Sequence, residues 1–141
     1  VRQFVGRIAG SSLEMTGLSI ELLRYEGLVH ASEEGANAVL SLTETGHDEL
    51  LTLLKATVRP PLTDMSKLVI ALKMRFLPLL NDKERHDQVD LLIDSCELEL
   101  ARLSDLLEPS SEKLFFQDWL SHDIKLVETR LTWLQALRER I

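Results

Sequence analysis

The stretch LLRYEGLVHASEEGANAVLSLTETGHDEL, residues 22–50, carries the decisive pattern of this chain. Leu22 and Leu23 close an apolar helical face that also holds Met15 and Leu18, and Glu26-Gly27 ends it, because glycine adopts the left-handed conformation that terminates helices. Leu28 to Ala31 is then extended. The polar run Glu33-Glu34-Gly35-Ala36-Asn37 contains the glycine that a hairpin turn favours, and Ala38 to Leu42 reads as the returning strand. Thr43 supplies an N-cap hydroxyl for a helix with Leu50, Leu51, Leu53 and Leu54 on its apolar face, running to about Thr57. Helix, two-stranded ribbon and helix are therefore predicted in that order.

Upstream, Val1, Phe4, Val5 and Ile8 fall at helical spacing, and Gly10-Ser11-Ser12 breaks the pattern as a helix end and a new cap would. A short helix over Val1 to Ala9 is predicted, with a second beginning near Ser12. Downstream, Arg59-Pro60-Pro61 stops the helix after the ribbon, since proline cannot continue one and constrains its predecessor. The predicted domains are accordingly 1–58 and 59–141.

Beyond Pro61 there is no glycine, and three long helical patterns follow. The first, about Leu62 to Leu79, carries Met65, Val69, Leu72, Phe76 and Leu79. The second opens on Asn81 and Glu84, a capping-box pair, with a seam of Val89, Ile93, Cys96, Leu100, Leu103 and Leu107. Pro109-Ser110-Ser111 is the predicted turn into the last helix, whose seam is Leu120, Ile124, Val127, Leu131 and Leu134. Spacings that alternate four and three follow the 3.5-residue period of helices that stay in contact over many turns. These seams are read as dimerisation residues. Leu92, Leu98, Leu106, Leu126, Trp133 and Leu137 lie outside them, and a second copy of the chain is the expected cover.

The 141 residues are 45% apolar and 28% charged, which is globular composition, and no apolar run reaches the length of about 20 residues that a membrane span needs. A cytoplasmic protein is expected. Cys96, the single cysteine, cannot form an internal disulfide. The four histidines, His30, His47, His86 and His122, share no helical spacing with one another or with Cys96, so neither a metal site nor a cofactor is expected. No phosphate loop or nucleophile motif is present, and an enzyme is not expected.

The order of elements is that of a winged helix-turn-helix. Residues 22–29 resemble the "leucine, acidic run, glycine, leucine" signature of PadR-like bacterial transcriptional regulators, and residues 40–50 resemble that family's wing strand and its "leucine-threonine-x-x-glycine-x-x-x-leucine" helix start. Residues 120–124, 131–134 and 138–140 resemble the last helix of the AphA-like branch. The resemblance implies a mainly α fold: a winged helix with a two-stranded wing, followed by a long helical dimerisation domain. It further implies a homodimer on double-stranded operator DNA, under the control of a small-molecule effector or a protein co-regulator. The family pattern also has a helix ahead of the one at Val1, which this sequence lacks.

On that reading the second helix enters the major groove, with Arg7, Ser12, Thr16, Ser19 and Arg24 as contacts and Ser32 and Asn37 in the wing. The electrostatics pull the other way. Residues 1–58 hold four bases against eight acids, and no lysine or arginine lies between Arg24 and Lys55, whereas DNA affinity rests largely on bases that neutralise phosphates. The alternative is a winged-helix dimer that has lost DNA affinity and serves protein interaction or ligand sensing. Trp119 and Trp133 are candidates for walling a pocket for a flat hydrophobic ligand, with ordinary helix packing as the competing role.

Overall fold

Residues 20–32, 39–107 and 115–141 are described by the structure, a computed structural model. They fall into two compact units that divide between Ala56 and Thr57. The first unit contains α1 (Ile20–Tyr25), β1 (Val29–Ala31), β2 (Leu40–Leu42) and α2 (Glu44–Lys55). The second contains α3 (Asp64–Phe76), a 3-10 turn (Leu77–Leu79), α4 (Asp82–Ser104) and α5 (Phe115–Arg138). The fold is the mainly helical winged-helix arrangement with long C-terminal helices that the sequence predicts. The helix expected at Val1 to Ala9, the wing turn at residues 33–37 and the turn at Pro109 lie outside the described residues.

Gly27 ends α1 as its sequence position predicts. It takes a left-handed φ of 72°, which lets its N–H donate to Arg24 O (3.0 Å) and Leu28 N–H donate to Leu23 O (2.8 Å), the paired bonds of a Schellman closure. The chain enters β1 directly from that closure. β1 and β2 are antiparallel, with Val29 opposite Leu42, His30 opposite Ser41 and Ala31 opposite Leu40. Ser32 N–H extends the ladder by donating to Val39 O (3.0 Å).

α4 and α5 form an antiparallel hairpin, since Arg138 at the end of α5 bonds to Asp90 near the start of α4. Farther along, Arg130 lies near Cys96 and Asp123 near Arg102. Val89, Leu92, Cys96 and Leu103 of α4 and Leu120, Val127 and Leu134 of α5 are buried, each large side chain contributing about 1.5–3 kcal/mol by leaving water. The capping box predicted at Asn81 and Glu84 is present, with Glu84 N–H donating to Asn81 Oδ1 at 2.9 Å.

Two sequence expectations are corrected here. Leu92, expected to lie bare outside the seam, is buried, because α4 packs on two sides: toward α5, and toward the segment that includes Val58 and Lys73. The first long pattern is also turned from its predicted face. Met65, Val69 and Leu79 are exposed while Leu68, Lys73, Leu77 and Leu80 are buried. Lys73 fixes that face by donating from Nζ to Gln88 Oε1 (2.8 Å), its methylene stem lying inside, and burial lowers its pKa from the ordinary lysine value. Ser95 completes the second packing side by donating to Val58 O (2.5 Å).

Candidate nucleic-acid interface

The winged half is held together by one residue pair and one close approach. Thr43 caps α2, its Oγ1 accepting from Gly46 N–H (3.0 Å). The same oxygen donates to Gly27 O (2.6 Å), and Thr43 N–H donates to Leu28 O (3.1 Å). The end of α1, the base of the ribbon and the start of α2 thus converge on a single residue. Gly46 is buried beneath them, and a β-carbon there would lie 1.9 Å from Leu28 O. Only glycine permits this contact, which gives the Thr-x-x-Gly spacing a physical cause.

The clasp presents an outer surface of mixed chemistry. α1 buries none of its described residues; Arg24 and Glu26 are exposed, and Tyr25 is 88% exposed. On the ribbon, alternation turns His30 outward between Val29 and Ala31, and its cross-strand neighbour Ser41 is exposed as well. Of the proposed DNA contacts, Arg24 and Ser32 are described and exposed; Arg7, Ser12, Thr16, Ser19 and Asn37 lie outside the described residues. Neither Tyr25 nor Ser41 is singled out by the sequence, which weighs His30 only as a metal ligand. The strand alternation around His30 carried the signal for the last two, while a tyrosine beside a helix-ending glycine looks the same whether packed or exposed.

In the helical half, the predicted seam residues divide by depth. Val89, Cys96, Leu103, Leu120, Val127 and Leu134 are buried within one chain; Ile93, Leu100, Ile124 and Leu131 are half-buried, and Leu107 is exposed. Leu98, Leu106, Leu126 and Trp133 remain exposed as expected. Trp119 and Trp133 lie two heptads apart on α5, about 21 Å along the helix, so within one chain they do not face each other. Burial raises the Cys96 thiol above its ordinary pKa, which leaves it a small inert hydrophobe. An open depression on α4 is lined by Asp94, Glu97 and Leu98.

Among the described residues no group of histidine, cysteine and acidic side chains is placed to hold a metal ion, and no helix is long and apolar enough to cross a membrane. A comparison with the curated proteins returns no match. Over residues 1–138, nearly the whole length, the chain matches the family described as "Putative AphA-like transcriptional regulator", and it belongs to that family of transcriptional regulators.

Proposed function

We propose that this regulator is a homodimer that binds double-stranded DNA, PadR-like in arrangement, with residues 1–58 as the reading module and residues 59–141 as the dimerisation domain. The observation that supports it most is the Thr43–Gly46 clasp. It fixes the end of α1 against the base of a two-stranded ribbon, the relation a winged helix uses to place a helix in the major groove and a wing beside it. Arg24 and the outward His30 and Ser41 then contact phosphate or base edges from the described surface, with Ser12, Thr16 and Ser19 from the rest of the reading segment, Arg7 from the segment before it, and Ser32 and Asn37 from the wing. Serine, threonine and backbone amides position a protein on phosphate without adding charge, and two copies on one site double the few bases available. A mobility-shift assay on fragments of the source genome at low salt tests the proposal: discrete retarded fragments support it, and no retardation at any fragment refutes it.

One observation favours a second reading. Between Arg24 and Lys55 the chain carries Glu26, Glu33, Glu34, Glu44, Asp48 and Glu49 and no base. A wing of that charge suits a basic protein co-regulator, or a module serving ligand sensing, better than phosphate. Under this reading a co-purified protein partner and no bound DNA are the expected result of affinity isolation.

A further inference from the structure

The two stripes that α4 turns to its neighbours differ in chemistry. Val89, Cys96 and Leu103, toward α5, are apolar, whereas Gln88, Leu92, Ser95 and Glu99, spaced four, three and four apart, line the side toward the segment that opens the second unit. Among the described residues the buried polar and charged groups are Lys73 of α3 with Gln88, Ser95 and Glu99, and all four lie in this one contact. Three fastenings cross it. Ser95 Oγ donates to Val58 O (2.5 Å), Lys73 Nζ donates to Gln88 Oε1 (2.8 Å), and the Leu62 backbone bonds to the Glu99 carboxylate.

Two of these groups on α4 also hold a partner on α4 itself. Ser95 Oγ lies 2.7 Å from Leu91 O, and Glu99 takes two nitrogens of Arg102, each at 2.8 Å. When the crossing segment leaves, the hydroxyl proton turns to Leu91, the carboxylate keeps its cation, and Gln88 and Lys73 pass into water. No buried polar atom is stranded, so the cost that normally locks a buried polar contact shut is absent.

The apolar share of the contact is small for its length. Residues 57–80 bury Val58, Leu68, Leu77 and Leu80, while Met65, Val69 and Leu79 are exposed. A lone helix as short as α3 is marginal in water, so the segment is ordered chiefly by lying on α4. We propose that residues 57–80 form a releasable strap, which opens from α4 as a unit while the α4–α5 hairpin stays folded. Closed, it pins the chain at Val58, close behind Ala56, where the first unit ends. Open, it becomes a tether spanning on the order of 25 Å as a coil. The strap thereby sets how freely the winged unit is placed, a control seated in the helical half that does not depend on what the winged unit binds.

Native-state hydrogen exchange on the full chain tests the strap, because each amide reports the opening that exposes it. The α3 amides are expected to exchange at least tenfold faster, relative to their intrinsic rates, than the slowest amides of α4 and α5. Val127→Ala weakens only the hairpin core, so it should speed the slowest hairpin amides at least tenfold and leave α3 unchanged. Ser95→Ala removes a bond that both openings break, and it should speed the two sets by the same factor. Equal exchange of α3 and the hairpin in the wild type, or a Val127→Ala effect that reaches α3, makes the second unit one cooperative body and overturns the strap. An α3 rate unmoved by Ser95→Ala overturns the fastening at Val58. Should Val127→Ala fail to fold, the wild-type ratio decides alone.

Discussion

Gly46 lies against the carbonyl of Leu28 so closely that a β-carbon there would stand 1.9 Å from the oxygen. Elsewhere in a helix, replacing glycine by alanine stabilises by about 1 kcal/mol through backbone entropy. Here the clash dominates, because forcing an extra methyl group into a packed site costs about 1–3 kcal/mol or more. Gly46→Ala is expected to destabilise the winged unit by about 2 kcal/mol or more and to release the Thr43 N–H from Leu28 O. Hydrogen exchange reads that amide directly, and unchanged protection of Thr43 would show that the approach is not constraining.

Ser95 ties α4 to the segment that opens the second unit, donating to the buried Val58 carbonyl. Ser95→Ala leaves that oxygen without the hydroxyl, at a cost of about 1–3 kcal/mol. Both tryptophans lie in α5, so fluorescence during urea unfolding follows this unit and not the winged one. A midpoint equal to the wild type would mean that the bond contributes nothing net.

Glu99 is buried, and Arg102 grips it through two nitrogens, each at 2.8 Å. That bonding holds the carboxyl below the usual carboxylate range against the opposing effect of burial, and the Leu62 backbone adds to it. Because the folded pKa is depressed, the stabilisation is fully present above the ordinary glutamate value and is lost as pH falls through the lower folded value. Asp90, lowered mainly by its bond to Arg138, acts in the same direction but is more exposed and screened. Stability is therefore expected to decline as pH falls through and below the ordinary carboxylate range. Glu99→Gln should flatten the decline, a comparison made by thermal melts across that range; an identical slope in the variant would remove Glu99 from the account.

Arg24 is the one base among the described residues of the first unit before Lys55. If the proposed DNA complex forms, Arg24→Ala should weaken it and lower the slope of log affinity against log salt by about 1. The slope of the wild type should itself be shallow, since few bases release few counterions. Fluorescence anisotropy on a retarded fragment over a salt series measures both, and a steep wild-type slope would contradict the charge argument.

The first unit's elements were legible because their signals are local: Gly27 closes α1, Thr43 caps α2, and the alternation of Val29, His30 and Ala31 sets the ribbon. The sequence also marked the α4 and α5 seams, through strict spacings that survive in the buried Val89, Cys96, Leu103 and Leu120, Val127, Leu134. It did not reveal which face of α3 turns inward. Two faces of that helix carry comparable apolar content, and the one that wins contains Lys73, whose charge argues against burial until Gln88, from another helix, is brought to meet it. The Gly46 contact was equally hidden, since nothing local places the Leu28 carbonyl there. The candidate interface was legible as a module but not as a surface: Arg24 was singled out, whereas Tyr25 is exposed for reasons of packing alone.

The hairpin core has a bearing on how subunits come together. Val89, Leu92, Cys96, Leu103, Leu120, Val127 and Leu134 are buried within a single polypeptide. In the proposed homodimer such hairpins would dock as finished parts, unlike intertwined assemblies whose subunits have no stable existence apart. If the proposed homodimer forms in this way, its subunits exchange on dilution and mixing without unfolding, at the rate at which the dimers dissociate.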